Sequence, residues 1–286
     1  MADLGIDIGP YRLLCLVDKG EFAAVYRARH RFLGTICAVK MLHPDQDTPI
    51  EDALAKEARI QARIVHRHVA RVIDAGSWRG RLYLVMDWVE GPLLASVVDE
   101  GLVKGPAHAI DLFRGLARGV HAMHRRHVVH RDLKPSNVMV RILNRREEAV
   151  VIDFGLAKVL RPGVAPKAEG LSVEFHTLGT PEYMAPEQVA NAGEVDQRAD
   201  LFSLGVVLYE LMTGDVPFHQ QNEGGLDTYM AAKKGDYVRL RDKVTGLPEE
   251  IYRLSEGLLL PDPDQRRGTA REVLLELDRL RSRGVI

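Results

Sequence analysis

Asp132, Lys134, Asn137 and Asp153 are the residues whose types and spacing could do chemistry. Three lie in His130-Arg131-Asp132-Leu133-Lys134-Pro135-Ser136-Asn137, and the fourth opens Asp153-Phe154-Gly155. Asp132 can accept a proton, Lys134 supplies a positive charge, and Asn137 and Asp153 offer the oxygen ligands that a hard divalent cation prefers. One base, one cation and two metal ligands are what phosphoryl transfer needs, because that reaction asks the protein for position and charge more than for covalent work. Taken singly, either aspartate reads as an ordinary turn or cap residue beside Pro or Gly. Only the set of four, in this order, points to chemistry.

The flanking sequence must position them. Val128-Val129 leads in, Val138 to Val140 leads out, and Ala149-Val150-Val151-Ile152 runs into Asp153. Runs this apolar call for burial on both faces, so the polar stretch reads as a hairpin between buried strands. Upstream, residues 11–17, 24–29, 35–42, 69–74 and 82–87 read as five strands, with Ser77-Trp78-Arg79-Gly80 as the last turn. Lys40 closes Ile36-Cys37-Ala38-Val39-Lys40, which alone could be no more than a solvated strand end. Residues 51–65 read as a helix with Leu54, Glu57, Ile60 or Gln61, and Ile64 on one face. A carboxylate such as Glu57 on a half-apolar face wants a cation.

After Met86 the periodicity breaks at Glu90-Gly91-Pro92. A sheet-rich part over 1–88 and a helical part over 89–286 follow. In the second, residues 107–124 carry apolar side chains at helical spacing, and 201–212 is apolar nearly all round, as a helix in the core of a large lobe should be. Gly214 ends it, as a glycine just past a helix does. Asp200 reads as its N-cap or as a brace for the polar stretch. Two amphipathic segments, 248–260 and 269–281, close the chain.

Composition excludes several classes. The 286 residues are 46% hydrophobic and 28% charged, with 39 Lys and Arg against 40 Asp and Glu. That balance suits a protein with a real core and gives no bulk charge for nucleic acid or membrane binding. Cys15 and Cys37 sit in separate apolar runs and read as core thiols in a reducing, cytosolic setting. No signal peptide and no apolar run of about 20 residues is expected.

His-Arg-Asp-Leu-Lys-Pro-Ser-Asn, Asp-Phe-Gly and Ala185-Pro186-Glu187 together resemble the motifs of eukaryotic-like protein kinases, their serine/threonine branch and its bacterial members in particular. The likeness runs from about residue 11 to 280. It implies an α+β, bilobal fold: a five-stranded antiparallel sheet with one main helix above a mostly helical lobe. It implies a catalytic base in Asp132, charge neutralisation by Lys134, and Mg²⁺ (with Mn²⁺ as a substitute) on Asn137 and Asp153. Lys40 would pair with Glu57 and reach the ATP phosphates. Met86 would be the gatekeeper, the backbone of Asp87 and Val89 would meet the adenine edge, and Val17, Val25, Ala38 and Met139 would sandwich the ring. Gly179-Thr180-Pro181-Glu182-Tyr183 and Ala185-Pro186-Glu187 would build the peptide platform, with Thr180 near Asp132 and Lys134 favouring a Ser or Thr acceptor. Glu187 would pair with Arg266, and Asp200 would brace the backbone around His130-Arg131. The expected partners are ATP and proteins with Ser or Thr, a second copy among them for autophosphorylation.

Two departures matter. In Asp18-Lys19-Gly20-Glu21-Phe22-Ala23 only Gly20 of the family's three loop glycines survives, which makes a nucleotide-binding or scaffolding pseudokinase the alternative reading. The long stretch 156–178 would be the activation loop, which in the family is ordered by a phosphate on the Arg131-type residue. Here Glu174 stands among the usual phosphosite positions, and Ser172 and Thr177 are the nearest hydroxyls. Either one of these is phosphorylated and docks on Arg131, or Glu174 is a built-in carboxylate.

Overall fold

A computed structural model of the chain describes residues 4–20, 23–43, 58–153, 181–190, 195–218 and 225–285. The first part is one antiparallel sheet. Strands β1 (Ile6–Ile8), β2 (Tyr11–Lys19), β3 (Ala23–His30), β4 (Ile36–Leu42), β5 (Val72–Trp78) and β6 (Arg81–Asp87) lie in the order β1-β2-β3-β4-β6-β5. The five strands read from the sequence are thus joined by a sixth, β1, which pairs with the start of β2 through Ile6↔Leu13 and Ile8↔Tyr11. Three residues are too few to show an alternating pattern. Ser77 and Trp78 continue β5, and the turn is Arg79-Gly80 alone, with φ of 51° and 75°. Two left-handed residues make the hairpin turn whose twist matches its strands.

The pleat sorts the sheet's side chains. Cys37, Val39 and Met41 pack with Ile8, Tyr11, Leu13, Tyr83 and Val85 on one face. Ala38 packs with Val72 and Met86, with Val25 and Trp88 beside them, on the other. In register, Ala38 opposes Met86 and Lys40 opposes Val25, so these four share a face. Cys15 and Cys37 are free thiols, and burial raises the Cys37 thiol to about 11, so it is inert at neutral pH. The helix expected over 51–65 is described only from residue 58, and it ends at Gln61.

The second part is helical, with α1 (Leu94–Asp99), α2 (Pro106–His124), α3 (Pro186–Ala190), α4 (Gln197–Thr213), α5 (Gly225–Lys234), α6 (Leu240–Lys243), α7 (Glu249–Leu258) and α8 (Ala270–Ser282). Helix α4 is its axis. From Ala199 to Leu211 every residue is buried, and α2 and α7 pack against it. Its N-cap is Asp196, whose carboxylate accepts from the Arg198 N–H, and Gly214 ends it at φ 76°. Asp200 is therefore inside the helix and has another task. The two parts meet where residues 66–70 lie on α2 and the following hairpin. Val151 N–H donates to the His68 carbonyl at 2.9 Å and Ala70 N–H to Val151 at 2.8 Å. A Cβ on Gly119 would come within 2.5 Å of the His68 carbonyl, so that approach needs glycine.

The stretch 130–137 departs from the hairpin read for it. Val128-Val129 forms no strand; the chain leaves α2, turns at His127 (φ 58°), crosses 130–134 irregularly and makes a 3₁₀ turn, Pro135–Asn137. The hairpin is the next element, β7 (Val138–Leu143) with β8 (Arg146–Val151), and its tip is Asn144-Arg145. This serves the site better. Val138 opposes Val151, so the residues just outside the pair, Asn137 and Ile152, are held side by side with Asp153 next in line. Among the described residues no helix is long and apolar enough to cross a membrane.

Candidate active site

The paired ends of β7 and β8 bring two of the four residues together. Ile152 N–H donates to the Asn137 carbonyl at 2.9 Å, which sets Asn137 beside Asp153. The Asn137 side-chain amide donates to the Asp132 carbonyl at 2.7 Å and to the Asp132 carboxylate at 3.0 Å. Its nitrogen is spent there, which leaves its oxygen as the atom able to face a cation. Lys134 Nζ lies 3.3 Å from the other Asp132 oxygen. Lys40 reaches across from β4 and forms an ion pair with Asp153. The lysine side chain is 11% exposed and the aspartate 32%, so the pair is only partly open to water. Lys40–Asp153 and Asn137–Asp132–Lys134 thus form two contact groups, set side by side by the Ile152–Asn137 backbone bond at the junction of the sheet and the helical part.

Backbone conformation at the site is unusual. Arg131 and Asp153 both have positive φ, 67° and 56°, in which non-glycine residues are strained by about 1–3 kcal/mol each. For Arg131 the surrounding bonds hold this conformation. Asp200, fully buried on α4, accepts from the His130 N–H and the Arg131 N–H, each at 2.8 Å, and pairs with His124 Nε2 at 2.8 Å. Burial works against its charge, yet the His124 and His130 rings and these backbone donors hold the carboxyl below the ordinary aspartate range. Asp200 is a brace and not a cap. His130 is buried, and its Nδ1 accepts from the Asp132 N–H at 3.3 Å. The Arg131 guanidinium donates to the Val195 carbonyl at 2.9 Å.

The face of the sheet above this cluster carries the residues expected around an adenine. Ala38, Val25 and Met86 sit together, and Met86 is buried at the back. Val89 packs with Ala70 and Val150, with Met139 against them, and Met139 bridges to Leu93. Val17 is 51% exposed, an apolar side chain left open at the sheet's edge. The Asp87 N–H is taken by the Arg71 carbonyl at 3.0 Å, so any purine contact from Asp87 falls to its own carbonyl. Gly20 closes its turn by donating to Ala23, and an added Cβ would find only an ordinary contact at 3.6 Å. Glu57, Ser172, Glu174, Thr177 and Thr180 lie outside the described residues, so the Lys40–Glu57 pair and the activation-loop readings have no geometry here.

Below the cleft, 181–190 is bolted to α4. Arg266, buried, forks onto Glu187 at 2.6 and 3.1 Å and also donates to the carbonyls of Leu260, Pro261 and Arg198. Ser203 Oγ donates to the Tyr183 carbonyl, and Tyr183 donates its hydroxyl to Glu210 at 2.8 Å. Burial raises the Glu210 carboxyl to about 7. The anchors Ser203 and Glu210 were not visible in the sequence, because α4 is apolar all round and offers no polar face to read.

Comparison with known proteins agrees with this geometry. Residues 11–276 match the family model for the protein kinase domain. Serine/threonine-protein kinase pkn2 of Myxococcus xanthus is 37% identical over 212 residues, which is 73% of this chain and 25% of that protein. Serine/threonine-protein kinase PknH of Mycobacterium bovis is 34% identical over 225 residues, 78% of this chain and 36% of that protein. The chain thus spans a quarter to about a third of these relatives' length. The crystal structure of Rad53 1-466 in complex with AMP-PNP superposes with a TM-score of 0.75 at 24% identity, covering 93% of this chain and 64% of that one, a likeness of fold. With the motifs, the bilobal α+β fold and the family match in agreement, the chain belongs to the protein kinase family, as a domain of the bacterial serine/threonine type.

Proposed function

We propose that this domain transfers the γ-phosphoryl group of ATP to serine or threonine hydroxyls of proteins, a second copy of itself included. The observation that carries the reading is the meeting of two groups, Lys40–Asp153 and Asn137–Asp132–Lys134, which the Ile152 N–H to Asn137 carbonyl bond sets next to each other. Asp132 accepts the hydroxyl proton and aims the nucleophile, Lys134 offsets charge on the group in transit, and Lys40 meets the α- and β-phosphates. Val17, Gly20, Val25, Ala38, Met86, Val89, Met139 and the Asp87 carbonyl enclose the nucleotide. We place the lobe boundary at residues 88/89, so that the nucleotide lies between the lobes.

A divalent cation fits the donors. Asn137 and Asp153 supply two oxygens, and no cluster of three or more His, Cys, Asp or Glu able to hold a metal occurs among the described residues. Mg²⁺ is commonly held in this way, by one or two protein oxygens with phosphates and water completing the shell, and Mn²⁺ can substitute. When bound, the ion neutralises the phosphate oxygens. Thr180 and the 181–190 platform select a Ser or Thr acceptor. On activation, the two arms remain distinct: phosphate on Ser172 or Thr177 docking on Arg131, or Glu174 acting in its place.

The test is a transfer assay with purified protein, Mg²⁺, labelled ATP and a basic protein substrate, with Asp132→Asn as control. Incorporation far above the control is expected. Wild type no better than Asp132→Asn, with ATP still bound, would replace the enzyme by a nucleotide-binding module. Full turnover in a Ser172→Ala/Thr177→Ala double mutant would eliminate the phosphate arm.

A further inference from the structure

Gln188, three residues after Ala185, occupies the third position of α3. Its Oε1 accepts from the Ala185 N–H at 3.1 Å, while the Gln188 N–H returns a bond to the Ala185 carbonyl at 2.9 Å. Taken alone this is one half of a capping box, a side chain three residues in satisfying a free donor at a helix start, and glutamate would serve as well there. The other end of the amide does something a cap does not need. Nε2 donates to the Arg131 carbonyl at 2.8 Å, across 57 positions of sequence and into the stretch that carries Asp132.

That carbonyl belongs to the peptide plane leading into Asp132. Its N–H end, the Asp132 amide, is held by His130 Nδ1 at 3.3 Å, and its carbonyl end is held by Gln188. The residue before the plane, Arg131, sits at φ 67° and is pinned through its own N–H to Asp200. Both ends of one peptide plane are therefore fixed, one by the catalytic stretch itself and one by the platform. We propose that Gln188 is a positioning residue that locks the substrate platform to the Asp132 backbone, so that the acceptor hydroxyl and its base keep one separation. The proposal rests on the kinase reading of the site. It requires an amide: a carboxylate at 188 keeps the cap but has no N–H to give the Arg131 carbonyl and sets an oxygen against it instead.

Gln188→Glu is the decisive variant, read beside Gln188→Ala in the full chain. With Gln188→Glu, kcat for a protein acceptor is expected to fall tenfold or more, because small displacements of a base are costly. KM for ATP and the melting temperature should stay near wild type. In an Asp132→Asn background the same substitution should cost little further rate, since its effect passes through Asp132. Glutamate restoring full kcat, or an equal loss in both backgrounds, would reduce Gln188 to a helix cap and overturn the proposal. Backbone hydrogen exchange over 130–137 provides a readout independent of turnover. It should quicken in Gln188→Glu, and unchanged exchange overturns the lock even if the wild type transfers no phosphate.

Discussion

Asp200→Asn tests whether the brace under residues 130–131 sets both stability and rate. The carboxylate takes three bonds at 2.8 Å, with Oδ1 serving the Arg131 N–H and Oδ2 serving the His130 N–H and His124. Asparagine keeps one oxygen, so at least one buried N–H would face an NH₂ group. A buried donor left unsatisfied costs about 1–3 kcal/mol, and the charge opposite His124 is lost as well. Removing one partner of a buried ionic network costs about 3–5 kcal/mol, and that range is expected here. Because Arg131 is held at positive φ by this contact, its release should also move Asp132. A displacement of about 1 Å can cost about a hundredfold in rate. The assays are urea unfolding and kcat on a protein acceptor. The folded Asp200 carboxyl titrates below its ordinary value of 3.8, so its stabilisation is full above that pH and fades as acid reaches the folded value. The gap between the two proteins should therefore be widest near neutral pH and close in strong acid. A stability difference under about 1 kcal/mol with undiminished kcat would refute the reasoning.

Arg266→Met should destabilise the fold by about 3–5 kcal/mol, because it strands Glu187 and three carbonyls; equilibrium unfolding measures it, and wild-type stability would discount the bridge. Glu210 is raised to about 7 from 4.5, so its burial favours the protonated folded form and its ionisation costs about 3 kcal/mol as pH rises from 4.5 to 7. Glu210→Gln should flatten that part of the stability–pH curve, and an unaltered slope would count against it. Lys40→Met should lower kcat/KM for ATP by about a hundredfold with little change in melting temperature; kinetics near wild type would remove Lys40 from the phosphate site.

The grouping of the candidate site was legible in the sequence because its parts lie close together there. Asp132, Lys134 and Asn137 fall within six residues, and Asp153 follows one hairpin later, so local spacing and turn chemistry suffice to group them. Five of the six strands and α4 were legible for the same reason, since period-2 alternation and an unbroken apolar run are local signals. Other features were not. The stretch 130–137 resembled a hairpin because Val128-Val129 is apolar, yet Val128 is buried in the helical core without pairing as a strand, and burial without pairing looks the same in a sequence window. Lys40 alone could have been a solvated strand end; the register Lys40↔Val25 and Ala38↔Met86 turns it to the cleft face, where it meets Asp153. Asp200 was equally a cap or a brace until Asp196 took the cap. Gln188 carried no signal in the sequence, and the bond that gives it meaning spans 57 residues. Sequence alone determined which groups are available and the local shapes that carry them. Tertiary structure decided which partner each polar group meets, because a buried donor or acceptor bonds to whatever the fold sets within 3 Å of it, and that neighbour is rarely close in the chain.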